Sequence, residues 1–118
     1  VFSKTLFSMM TPEINNALKT EYKDKKAIVL FGIETHICIQ QTALDLLKSG
    51  YDVHVIADAV SSRTSTDRLF GLKRMKQCGT FITTHESLLF MLLKDAKNKD
   101  FKCIQNLIKN LPEDQDIF

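Results

Sequence analysis

No apolar run in the chain approaches the roughly 20 residues that a membrane-spanning helix needs, so the sequence excludes a helical membrane span. Nor is there an excess of charge: 16 Lys and Arg stand against 14 Asp and Glu, for a formal net charge of +2. The basic residues are dispersed, and Lys23-Asp24-Lys25-Lys26 reads as a solvated turn before a strand. This balance points away from nucleic acid, whose phosphates select a concentrated basic surface. The three cysteines follow no disulfide-framework or metal-ligand spacing, which favours a reducing interior over secretion. Internal repeats, low-complexity segments and a recognisable targeting peptide are also missing. The expected compartment is the cytoplasm, or the mitochondrion if a targeting segment lies upstream of Val1. At 118 residues there is room for one core, so a single domain over 1–118 is expected.

What is present is a regular alternation of strand and helix signals. Thr11-Pro12-Glu13 is a helix start: the threonine caps, the proline suits the first helical position and the glutamate complements the dipole. Ile14, Ala17 and Leu18 then supply an apolar face. The run 27–32 is too evenly apolar for a one-sided strand and predicts one covered on both faces. Residues 38–49 predict an amphipathic helix with Ile39, Ala43, Leu46 and Leu47 on one side, ended by Gly50. Residues 53–57 predict the next strand. Thr64 and Asp67 form a capping pair for a helix reaching Gln77 and stopped by Gly79. Residues 80–83 predict a short strand, and helical stretches follow near 86–96 and 100–111. In the last, Phe101, Ile104, Leu107, Ile108 and Leu111 keep helical spacing. The pattern predicts βαβ units with right-handed crossovers, hence a mainly parallel sheet.

The segment 32–47 carries the chemistry. An apolar strand enters Gly32, and Cys38 then opens the helical pattern. A thiol is thereby placed at the first turn of a helix, beyond the carboxyl end of a buried strand. Unpaired N–H groups and the positive dipole end stabilise a thiolate there, and the carboxyl ends of strands are where open α/β sheets bind ligands. Cys38 is the candidate nucleophile; the competing reading is a buried cysteine acting as a small hydrophobe. Cys78 and Cys103 lack this setting and read as structural. His36 and His54 invite a metal reading, but His54 between Val53 and Val55 fits hydrogen-bonded structure on a strand. Asp58 at a strand end has the placement of a general base.

These residues, Gly32-Ile33-Glu34-Thr35-His36-Ile37-Cys38 followed by Gln41-Thr42-Ala43-Leu44-Asp45-Leu46-Leu47, resemble the nucleophile motif of the isochorismatase-like cysteine hydrolases. Ser3-Lys4-Thr5-Leu6-Phe7-Ser8-Met9 upstream and Asp58-Ala59-Val60-Ser61-Ser62-Arg63 downstream agree in the same order. The resemblance runs from Lys4 to about Ile108 and is greatest to the isochorismatase domain-containing branch. It implies a three-layer αβα sandwich around a mainly parallel, Rossmann-like sheet. It implies Cys38 as nucleophile, Lys4 as the triad lysine, and an oxyanion hole from the backbone N–H groups of Glu34 and Cys38. It places a non-proline cis peptide at Ile33–Glu34. Phe7 and Thr35 become pocket candidates, with His36 beside them at the rim, although an aromatic at position 7 is also compatible with plain core. The Asp58 segment becomes structural, with Arg63 tying loops together. No cofactor is implied, and the metal-ligand cluster that relatives such as nicotinamidases carry upstream of their lysine is not present.

The family's aspartate, on a strand before the lysine in an Asp-x-Gln context, has no counterpart among Val1, Phe2 and Ser3. The expectation is therefore the carboxyl-terminal portion of such a domain. Two functions follow. One is a hydrolase that attacks a small amide, ester or vinyl-ether substrate through a covalent cysteine intermediate. The other is a catalytically silent binding or scaffold protein that keeps the fold. The strand at 27–32, deprived of its neighbour, would be a two-sided apolar edge, which predicts self-association into a homo-oligomer.

Overall fold

The computed structural model describes residues 1–111; the tail of the expected 1–118 domain lies outside the described residues. Helix α1 (Pro12–Thr20) begins as its sequence dictates, with the Thr11 hydroxyl accepting from the Ile14 N–H. Strand β1 (Ala27–Ile33) leads into a π-helical turn, Thr35–Ile39, continued by α2 (Gln40–Lys48). Strand β2 (Asp52–Ser61) is followed by α3 (Ser65–Gln77), the short strand β3 (Phe81–Thr83), α4 (His85–Leu93) and α5 (Phe101–Lys109). None of the described helices is long and apolar enough to cross a membrane.

The sheet is parallel, in the order β1-β2-β3. A helix connects each pair of neighbours, and right-handed crossovers bring both helices to one face. One buried cluster unites them: Ile39, Ala43 and Leu46 from the π-turn and α2, Leu72 and Met75 from α3, and Leu30, Val53 and Val55 from the sheet. Ile56 is buried outside that cluster, because strand alternation turns it to the opposite face; α4 packs against the same strand. The chain is thus an α/β sandwich built on a parallel sheet.

Several expectations change. The strand expected at 53–57 runs on to Ser61, with a register shift where Leu30 pairs with Val55 but Gly32 pairs with Val60. The helix expected at 86–96 stops at Leu93, where Lys94 turns the chain with φ of 64°. The expectation that β1 is covered on both faces fails among the described residues. Phe31 and Ile33 are 68% and 67% exposed, and Val29 beside them is also exposed. The register Val29–His54–Phe81 continues this bare face across the sheet. His54 lies there stacked on Phe81 at 4.8 Å between ring centroids, a ring contact rather than the expected hydrogen bond.

Candidate active site

The carboxyl end of β1 is where the chain changes direction most sharply. Gly32 has a φ of 121°, a conformation glycine reaches without the clash of a side chain. The next peptide, Ile33–Glu34, is cis. Glu34 then opens the π-turn from an extended conformation. Its carbonyl accepts from the Ile37 and Ile39 N–H groups at 3.2 and 3.1 Å, and its carboxylate accepts from the Arg63 backbone N–H at 3.0 Å. His36 Nδ1 shares a hydrogen bond with the Ser62 hydroxyl at 2.9 Å. Two contacts therefore pin this turn to the end of β2.

Cys38 is the fourth residue of the π-turn, not the opening residue of the helix as its apolar pattern predicts. Its carbonyl accepts from the Thr42 hydroxyl at 2.6 Å. A threonine bonding back to the carbonyl four residues earlier competes with the regular ladder and opens a helix locally. The bond lies just after the wide turn, which is itself closed by the Ile39 N–H donating to the Glu34 carbonyl, and such turns recur at functional sites.

The thiol, half-buried, meets Lys4. The Lys4 ammonium donates to the Leu6 carbonyl at 2.8 Å, to the Phe7 carbonyl at 2.9 Å and toward Cys38 Sγ at 3.8 Å. All three of its protons have a direction, so the cation is held beside the sulfur by its own segment. The structure brings together Lys4, Glu34 and Cys38 from the sequence-derived set. It separates the two pocket candidates. Thr35 is fully buried, with a hydroxyl that has no hydrogen-bond partner among the described residues, so it lies beneath the turn rather than on a rim. Phe7 is largely exposed. A cavity of about 430 Å³ lies instead between the π-turn and α3, lined by His36, Gln40, Asp67, Phe70, Lys73 and Arg74.

Two residues escaped the sequence reading. The side chain that ties the loops is Arg68, whose guanidinium donates to the Val60 and Ala57 carbonyls; Arg63 contributes a backbone N–H. A charged residue on a predicted helix gave no signal for this. Thr42 is the other, since its place inside the motif did not reveal its partners. Asp58 has the structural role expected of it: its carboxylate accepts from the His85 backbone N–H at 2.9 Å and from His85 Nδ1 at 2.5 Å, starting α4.

The Isochorismatase domain family matches residues 1–87 of this chain. Isochorismatase domain-containing protein 2 of Xenopus laevis is 56% identical over 107 residues, which make up 91% of this chain and 52% of that protein. The MAR1 ribonuclease structure from Caenorhabditis elegans superposes with a TM-score of 0.86 at 41% identity, covering 98% of this chain and 58% of that one. A pyrazinamidase/nicotinamidase from Streptococcus mutans gives 0.62 at 27% identity, over 67% of this chain and 44% of its own. The chain spans about half the length of the curated relatives it matches.

Proposed function

Because the chain belongs to the isochorismatase family, we propose that the protein of which these residues form the site is a cysteine hydrolase acting on a small amide, ester or vinyl-ether substrate. The observation that carries the reading is the Lys4 ammonium at 3.8 Å from Cys38 Sγ, on the first turn of a helix at the carboxyl end of β1. A sulfur at the start of a helix with a fixed cation beside it is the setting in which a cysteine serves as a nucleophile. For an amide or ester, the sulfur attacks the carbonyl carbon. A C–S bond forms, and the carbonyl oxygen takes up negative charge that the N–H groups of Glu34 and Cys38 and the Lys4 ammonium stabilise. Collapse expels the amine or alcohol, which leaves with a proton, and water then cleaves the thioester to give the acid and the free thiol.

The thiol proton goes to a general base, for which the family uses the aspartate that precedes its lysine; we assign it that role in the whole protein. Three free cysteines suit a reducing, cytoplasmic setting. The exposed Val29, Phe31 and Ile33 support association with a further copy, which light scattering after size exclusion will read directly. Intact-mass measurement after incubation with small activated esters and amides tests the chemistry. The expected result is an acyl adduct that peptide mapping places on Cys38 and that Cys38→Ser abolishes. Turnover that survives Cys38→Ser would overturn the assignment.

A further inference from the structure

Thr42 makes two hydrogen bonds through one oxygen, and both ends of that bridge belong to the site. Its hydroxyl donates to the Cys38 carbonyl at 2.6 Å and accepts from the Met9 N–H at 2.8 Å. The oxygen is sealed from solvent, as Thr42 is 1% exposed. Met9 ends the segment that begins with Lys4, and that segment folds on itself through the Lys4 contacts to Leu6 and Phe7. The segment therefore touches Cys38 twice, at the sulfur through Lys4 and at the carbonyl through Thr42. The first contact is exposed and the second is part-buried beneath it, made by a side chain that is itself buried, so the second is the anchor.

We propose that Thr42 is a positioning residue that sets the distance between the Lys4 ammonium and the Cys38 sulfur; this rests on the hydrolase reading above. A hydroxyl is required because one atom must donate to a carbonyl and accept from an N–H at once. Serine can do this, whereas valine and alanine cannot. Without the hydroxyl, the Met9 N–H and Cys38 carbonyl lose their shared partner. The Lys4 segment is then released from α2, and the cation drifts from the thiolate.

The test compares alkylation of Cys38 by iodoacetate, which carries a negative charge, and by neutral iodoacetamide, followed residue by residue with mass spectrometry on the full chain. Both reagents consume the same thiolate, so the ratio of their rates reports the local positive charge and cancels the amount of thiolate. Lys4→Met should lower the ratio by about fivefold, the effect of one unit charge some 4 Å away in water. Thr42→Val should lower it by the same factor, with no further fall in the Lys4→Met, Thr42→Val double variant, and Thr42→Ser should restore it. Thr42→Ala, which removes the same bonds without a branched methyl to refit, should behave as valine does. A Thr42→Val or Thr42→Ala ratio equal to that of the unmodified chain overturns the positioning role while leaving the Lys4–Cys38 pair intact. A ratio insensitive to Lys4→Met overturns the pair itself. If Thr42→Val does not fold, Thr42→Ala decides. If neither folds while Thr42→Ser does, the bridge is needed for folding and the positioning role is overturned.

Discussion

At Gly71, α3 lies close against the turn that carries Cys38. A methyl group placed on it would lie 3.0 Å from His36 Cα and 3.2 Å from His36 N and Cβ. At an open helical site, replacing glycine with alanine gains roughly 1 kcal/mol of helix propensity. Here the added carbon meets backbone, and that backbone is held by the His36–Ser62 and Glu34–Arg63 contacts. Forcing a group into a packed interface costs about 1–3 kcal/mol, so the expected balance for Gly71→Ala is a net loss of about 1 kcal/mol. Gly71→Val adds two further methyls to the same gap and a helix-disfavouring branch, and should lose roughly 3 kcal/mol. Urea denaturation measures both, and for a chain of this size each kcal/mol lowers Tm by about 4 °C. The alanine variant should also change the alkylation rate of Cys38, because α3 presses on the turn that holds it. A rise in stability with alanine would refute this account, since it would mean that α3 can retreat from His36 without cost.

Three further outcomes are expected. Cys78 and Cys103 are exposed whereas Cys38 is only half so, so accessibility alone ranks Cys38 last; faster labelling of Cys38 by iodoacetamide at neutral pH would reveal activation, and equal labelling of all three would remove the case for a nucleophile. Arg68→Met should cost about 2–4 kcal/mol in urea titration, because it strands the Val60 and Ala57 carbonyls. Leu46→Ala should cost about 2–5 kcal/mol by the same measurement, since this side chain is buried at the centre of the one cluster that α2, α3 and the sheet share.

Elements announced by local chemistry were legible in the sequence. Thr11-Pro12 and the Thr64–Asp67 pair start their helices as read, the second with the Thr64 hydroxyl accepting from the Asp67 N–H and donating to its carboxylate. The pairing of Lys4 with Cys38 followed from the resemblance, not from any local pattern. The π-turn was not legible, because its i to i+5 bonds, such as that from the Ile39 N–H to the Glu34 carbonyl, leave no mark in apolar spacing. Apolar spacing marks only the face of α2 and so placed the helix start at Cys38 instead of Thr35. The end of β2 was missed for a related reason. Asp58-Ala59 looks like the close of a strand, yet pairing of Val60 and Ser61 with Gly32 and Ile33 extends it. The bare face of β1 was hidden because composition does not say what lies above a strand.

The register shift in β2 has a consequence for chain length. Between its pairings at Val55 and Val60, β2 spends Ile56 to Ala59 while β1 spends only Phe31. The surplus swings Asp58 out to start α4 and still returns the strand in time for Arg63 to meet Glu34. Val55 and Val60 are both buried although five positions apart, so strict alternation is already broken within this stretch, and removing one residue would leave them an even four apart, a spacing at which Val60 still faces the core. Among point deletions, one at Ala59, which is exposed, should therefore be better tolerated than one at Val53 to Val55, where regular pairing with β1 fixes which side chains face the core. Tolerance to a change in chain length thus follows the regularity of pairing along β2, which a protein variant library built from replacements alone would not read.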